Sequence, residues 1–207
     1  MLQKIMTMKK ILALPIVAIA ALVLKPIGDP LPIGASIPNP EVKMKDISGK
    51  EVSFKDAQKK NGLLVMFSCN TCPVVKKYQS RTMEVCKYAL GNDIGVVLLN
   101  SNEATRGDGD SYDDMKEYAK EQGYYFNYVV DNNSSMADAF GANRTPECFL
   151  FDASGKLVYH GAIDDNSNGP DQVTRKHAIV AIQEMVSGKD ISQKETRSVG
   201  CTIKRRS

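Results

Sequence analysis

The chain has 207 residues, 43% of them apolar and 25% charged, with a net charge of +3. That is the composition of an ordinary globular protein, long enough for one compact core. No basic stripe with interleaved aromatics occurs, which argues against a nucleic-acid partner; Lys204, Arg205 and Arg206 read as a solvated end.

Lys4, Lys9 and Lys10 precede an unbroken apolar stretch over residues 11–24. Fourteen residues suit the apolar region of a signal peptide and fall short of the ~20 that a membrane span needs. Ala18-Ile19-Ala20 supplies a small-x-small cleavage site. Residues 1–25 are therefore read as a signal peptide or N-terminal anchor. The expected location is the bacterial periplasm or cell envelope, with membrane contact only if the leader stays uncleaved. Residues 26–40, rich in Pro and Gly, read as a linker, residues 41–190 as one domain, and residues 191–207 as an extended tail carrying Cys201.

Within the domain, residues 42–47 and 51–54 alternate around Ser48-Gly49-Lys50, a hairpin pattern. Residues 63–67, Leu-Leu-Val-Met-Phe, are a short apolar run free of Gly and Pro, which predicts a buried strand. Residues 73–90 read as a helix and 94–100 as a second buried strand. Residues 103–110 form a loop, and Asp110-Ser111-Tyr112-Asp113 supply caps for a helix through Glu121 that Gly123 ends. Residues 126–130 are a third strand and 134–140 a short helix. Residues 148–151 and 157–160 form a hairpin around Ala153-Ser154-Gly155-Lys156. A helical stripe at 178, 179, 182, 185 and 186 marks a last helix over 174–186.

The chemistry lies at the first strand-to-helix junction, Cys69-Asn70-Thr71-Cys72-Pro73. Free N–H groups of a helix's first turn favour an anion there, so a thiolate is stabilised. A pKa lowered from about 8.5 to about 7 would ionise roughly half of the reactive thiol at neutral pH. A Cys-x-x-Cys pair closes too small a loop to stabilise the fold much, so its value is chemical. Pro73 suits the first helical turn, where a missing N–H costs nothing. Five cysteines are an odd number, so at least one stays unpaired within the chain. Cys86 reads as core. Cys148, beside a Thr145-Pro146 pair, and Cys201, in a polar tail without a packing role, are auxiliary redox candidates.

Three separated features now converge: the dithiol at a strand–helix junction, Thr145-Pro146 directly before a strand, and Gly155-Lys156 leading into Leu157-Val158-Tyr159. Together with Gly200-Cys201-Thr202-Ile203-Lys204, they resemble the thioredoxin-like redoxins. The nearest likeness is a peroxiredoxin-like branch of the alkyl hydroperoxide reductase/thiol-specific antioxidant superfamily, over residues 33–204. The resemblance implies an α/β, three-layer thioredoxin-like fold with a central mixed sheet, an N-terminal β-hairpin and an inserted βα unit. It also implies a cis Thr145-Pro146 bond that docks an extended substrate beside the sulfurs.

Several positions depart from the family. The Pro and Thr that peroxiredoxins place before their reactive cysteine fall at Gly62 and Met66 when counted from Cys69, and at Val65 and Cys69 when counted from Cys72. The buried acid of thioredoxins is missing from 63–67, which leaves Glu147 as the nearest replacement proton carrier.

The expected activity is thiol–disulfide exchange with Cys69 as the more exposed attacking thiolate and Cys72 resolving, without a cofactor or metal. Partners are protein disulfides or thiols and an electron-donating redox protein. A thiol peroxidase is the alternative. Copper delivery is a third reading, weakened because such proteins of this fold place three residues between their cysteines, and only His160 and His177 are available here. Asp164-Asp165 and the Gly107-Asp108-Gly109-Asp110 loop do not match the twelve-residue calcium pattern and read as turn residues.

Overall fold

The computed structural model describes residues 28–206; the expected leader and its cleavage site lie outside them. Among the described residues no helix is long and apolar enough to cross a membrane. In chain order the elements are β1 (Met44–Lys45), β2 (Glu51–Val52), α1 (Phe54–Ala57), β3 (Leu63–Ser68), α2 (Pro73–Gly91), β4 (Gly95–Asn100), α3 (Tyr112–Gln122) and β5 (Asn127–Val130). They continue with α4 (Ser135–Phe140), β6 (Arg144–Thr145), β7 (Glu147–Phe151), β8 (Leu157–Gly161), α5 (His177–Val186) and β9 (Cys201–Thr202).

A five-stranded mixed sheet in the order β5-β4-β3-β7-β8 forms the centre. β3, β4 and β5 run parallel, and β7 is antiparallel to both β3 and β8. Because strand side chains alternate in direction, the apolar runs feed two cores. Leu64, Met66, Val96, Leu98, Cys148 and Leu150 meet α2, α3 and α5 on one face. Leu63, Val65, Phe67, Val97, Leu99 and Phe149 meet Phe54 and Phe140 on the other, which we call the outer core. This is the expected three-layer thioredoxin-like arrangement.

Three local readings change. Strand β2 stops at Val52 and Phe54 opens α1, because Ser53 forms a capping box with Asp56: such a Ser-x-x-Asp signal favours a helix start over strand continuation. The stretch read as a linker packs on the domain, with Leu31 and Ile37 buried and the Gly34 and Leu157 N–H groups donating to the Leu157 and Ala35 carbonyls. The tail also packs: the Thr196 N–H donates to the His160 carbonyl at 3.0 Å, and Ile203 is buried in the outer core.

Candidate active site

The parallel strands β3 and β4 end side by side, with Ser68 opposite Asn100. Beyond these ends the chain turns through Cys69, Asn70 and Thr71 into α2, whose N-cap is Cys72 and whose first residue is Pro73. Cys69, Cys72 and Val75 form a small buried cluster against which Cys201 packs. Cys72 is bonded to Cys201, 129 positions further along the chain, with Cα atoms 6.0 Å apart. Cys69, Cys86 and Cys148 are free thiols.

The Thr145-Pro146 bond is cis and sets Thr145 against both sulfurs of the Cys-x-x-Cys pair. Cys69 Sγ lies 3.5 Å from Thr145 Oγ1, and Cys72 Sγ lies 3.5 Å from the Thr145 carbonyl oxygen. Cys69 differs from the sequence expectation in both exposure and ionisation. It is fully buried, less exposed than Cys72, and burial pushes its thiol up. The Thr145 hydroxyl and the Cys72 and Thr71 N–H groups oppose that rise, while the Asp110 charge adds to it. Desolvation outweighs the helix N-terminus because the sulfur has no contact with water.

The auxiliary candidates separate. Cys201 is half-buried and joined to Cys72. Cys148 lies in the same core as Cys86 on the α2 face, and burial raises its thiol strongly. Glu147 is occupied: its Oε2 accepts from the Asn143 and Arg144 N–H groups at 2.8 and 3.0 Å, and its Oε1 lies 2.8 Å from His160 Nε2. It braces the turn into the Thr145-Pro146 loop, with both oxygens engaged.

Asp110, which the sequence reads as a cap and turn residue, has a larger part in the site. It is fully buried and accepts five hydrogen bonds: from the Asn70 N–H, the Thr71 hydroxyl, Asn100 Nδ2, Asn102 Nδ2 and the Thr105 hydroxyl, at 2.8 to 3.1 Å. It therefore fixes the two residues between the cysteines. Tyr128 adds a hydrogen bond from its hydroxyl to Asn70 Oδ1 at 2.9 Å. Gly109, with φ +81°, lets the acidic loop lie over Thr71; a Cβ there would stand 2.7 Å from Thr71 Cγ2. The available signal was Asn100-Ser101-Asn102, a polar triplet at the carboxyl end of an apolar parallel strand, where α/β sheets place their sites. Asp164 is likewise no simple turn residue: it is buried and accepts both Arg81 Nη1 and the Tyr78 hydroxyl.

A mixed sheet with three parallel strands, a cysteine pair where one strand hands over to a helix, and a cis-proline loop facing it define a redoxin of the thioredoxin-like fold. Residues 33–160 match the AhpC/TSA family, and the chain belongs to that family. Membership carries thiol oxidoreductase or peroxidase chemistry in general terms. An uncharacterized conserved protein of Geobacillus kaustophilus is 31% identical, with a TM-score of 0.78 over 84% of this chain and 93% of its own. A hypothetical protein of Sinorhizobium meliloti 1021 is 30% identical, with a TM-score of 0.76 over 86% and 97%. The thioredoxin domain of a thiol-disulfide oxidoreductase of Bacteroides vulgatus, at 20% identity and TM-score 0.52 over 63% and 88%, shares the fold. No curated protein matches the chain.

Proposed function

We propose that the protein is a thiol–disulfide oxidoreductase that works through Cys69 and Cys72 on protein disulfides or thiols and is recharged by an electron-donating redox partner. The observation that carries this reading is the Cys72–Cys201 bond at the N-cap of α2, with the free Cys69 thiol in the same buried cluster. Cys72 is the sulfur that meets partners, because the helix N-terminus favours it as a leaving thiolate and Cys69 has no exposed surface. Cys69 is the resolving thiol. It attacks Cys72 in a mixed disulfide, the Cys69–Cys72 bond forms, and the partner leaves with the electron pair on its own sulfur.

Insulin reduction with a thiol reductant tests the reading. Cys72→Ser is expected to abolish turnover, and Cys69→Ser combined with Cys201→Ser, which removes the other sulfur that reaches Cys72, to accumulate a mixed disulfide at Cys72. Turnover surviving in Cys72→Ser would refute it.

A peroxidase is the second reading, favoured by the family and by the same bond. A peroxide oxidises the Cys72 thiolate to a sulfenic acid, releasing an alcohol or water. Cys201 then condenses with it, expelling water and forming the bond observed. Rapid peroxide consumption by the reduced protein that Cys201→Ser slows would promote this reading. We place the protein outside the cytoplasm on the strength of residues 1–25, a reading that cell fractionation tests.

A further inference from the structure

The strand that carries Cys201 is seated as a polypeptide ligand would be. β9 lies antiparallel on β6, with Thr202 opposite Arg144 and Cys201 opposite Thr145. The Ile203 N–H donates to the Asn143 carbonyl at 3.1 Å, the Lys204 N–H to Asn102 Oδ1 at 2.9 Å, and the Ala104 N–H to the Lys204 carbonyl at 2.8 Å. Cys201 thus reaches Cys72 on an extended chain held by main-chain hydrogen bonds and one to the Asn102 side chain, much as an added strand binds along another.

Two side-chain positions on this strand are constrained. A Cβ at Gly200 would stand 2.0 Å from the Thr145 carbonyl oxygen and 2.7 Å from its carbon. Both are backbone atoms of the cis-proline loop that contacts the sulfurs, so neither can swing aside. Ile203 is 3% exposed and packs in the outer core with Phe140 and Ala142. Thr202, between them, points to solvent.

We infer that this seat is the protein's recognition surface and that the tail is its resident occupant. The site takes an extended polypeptide segment of the form Gly-Cys-x-aliphatic, with its cysteine opposite Thr145, and an incoming segment competes with the tail for that place. The inference rests on the oxidoreductase reading above and adds its substrate class. The Cys72 thiolate attacks the partner cysteine's sulfur within the partner disulfide; that S–S bond breaks, its electron pair leaves on the distal sulfur, and a Cys72–partner bond forms. Deprotonated Cys69 then attacks Cys72 Sγ, and the partner cysteine departs as a thiol. Two electrons pass from the dithiol to the partner. Glycine before the cysteine is the specificity element, because any larger residue meets the Thr145 carbonyl.

The test uses the full-length Cys201→Ser protein, reduced and then freed of reductant so that Cys69 and Cys72 are both thiols. The probe is the peptide Ser-Val-Gly-Cys-Thr-Ile-Lys, activated as a mixed disulfide with 2-nitro-5-thiobenzoate. Release of the coloured thiol at Cys72 is compared with that from the same peptide carrying Ala in place of Gly. The glycine peptide is expected to react at least about tenfold faster, the penalty of forcing a methyl into a filled contact. Adding Gly200→Ala to the Cys201→Ser protein spoils the tail's own fit and is expected to speed the glycine peptide further. Equal rates for the two peptides would overturn the inference, as would a double variant no faster than the single one. If both peptides fail while the small reagent 5,5′-dithiobis(2-nitrobenzoate) still modifies Cys72, the recognition surface is refuted and the thiol chemistry stands. If that reagent also leaves Cys72 untouched in the folded protein, the oxidoreductase reading itself falls and takes the inference with it.

Discussion

Asp110→Asn separates the role of the buried carboxylate in stability from its role in sulfur chemistry. The carboxylate accepts five hydrogen bonds, and an amide has only one acceptor oxygen. If the amide nitrogen took the place of Oδ1, it would face the Asn70 N–H, a main-chain donor that cannot turn. It therefore takes the place of Oδ2, where the Thr71 and Thr105 hydroxyls can rotate to accept and Asn102 Nδ2 is left facing a donor. One hydrogen bond is lost and four fall from about 1.5–3 kcal/mol each, the range for charged groups, to about 1 kcal/mol. Relief from burying a charge offsets several kcal/mol of that. The expected net loss is about 3 kcal/mol, which lowers the Tm of a domain this size by about 6–12 °C.

The same substitution moves Cys69 the other way. After burial, the Asp110 charge is one of the causes that raise its thiol, so removing the charge is expected to shift Cys69 alkylation to lower pH. Thermal melting, and mass-resolved iodoacetamide labelling of the reduced protein against pH, measure the two effects. A Tm change within about 1 °C, well under the ~2–4 °C that each kcal/mol costs, or a Cys69 profile displaced to higher pH, would refute the reasoning.

Further outcomes follow from other parts of the fold. The Cys72–Cys201 bond spans 129 positions, and the loop-entropy relation gives it a ceiling of about 5 kcal/mol. Urea unfolding should therefore show Cys201→Ser less stable than the oxidised protein, with the gap closing when reductant is added to both. The buried Arg81–Asp164 pair should make Arg81→Met cost about 3–5 kcal/mol, since Asp164 is left as an uncompensated buried charge; adding Asp164→Leu should recover much of that loss in a double-mutant cycle. Alkaline stability follows from the buried acids. Burial raises the thiols of Cys69, Cys86 and Cys148 and pushes the Tyr78 and Tyr118 hydroxyls up to about 12. Folded pKa values above the unfolded ones mean a contribution fully present below about pH 8.5 and lost as pH rises toward the folded values. The urea midpoint should fall steadily between about pH 8.5 and 10.5, and a flat profile would contradict the burial of these groups.

The sheet was readable because its strands are short apolar runs with turn residues between them, and residues 63–67 and 94–100 need no partner to be recognised as buried. The dithiol was readable because it is a local pattern placed by that strand. The disposition of its two sulfurs was not. Exposure depends on what covers the junction, and that cover comes from Thr145, from the loop around Asp110 and from β9, each remote in sequence. Asp110 looked like a turn residue because its hydrogen-bond partners stand 5 to 40 positions away. Residues 26–40 read as a linker because their Pro and Gly content signals irregular backbone and says nothing of whether Leu31 and Ile37 find a place against the sheet.

The long span between Cys72 and its bonded partner orders events during biosynthesis. Cys201 is made 129 residues after Cys72, about 6–26 s later at ordinary elongation rates. Throughout that interval Cys69 is the near neighbour of Cys72 on the nascent chain, so any oxidant present meets a vicinal pair first. Formation of the bond seen in the finished molecule then becomes an exchange between sulfurs that consumes no further oxidant.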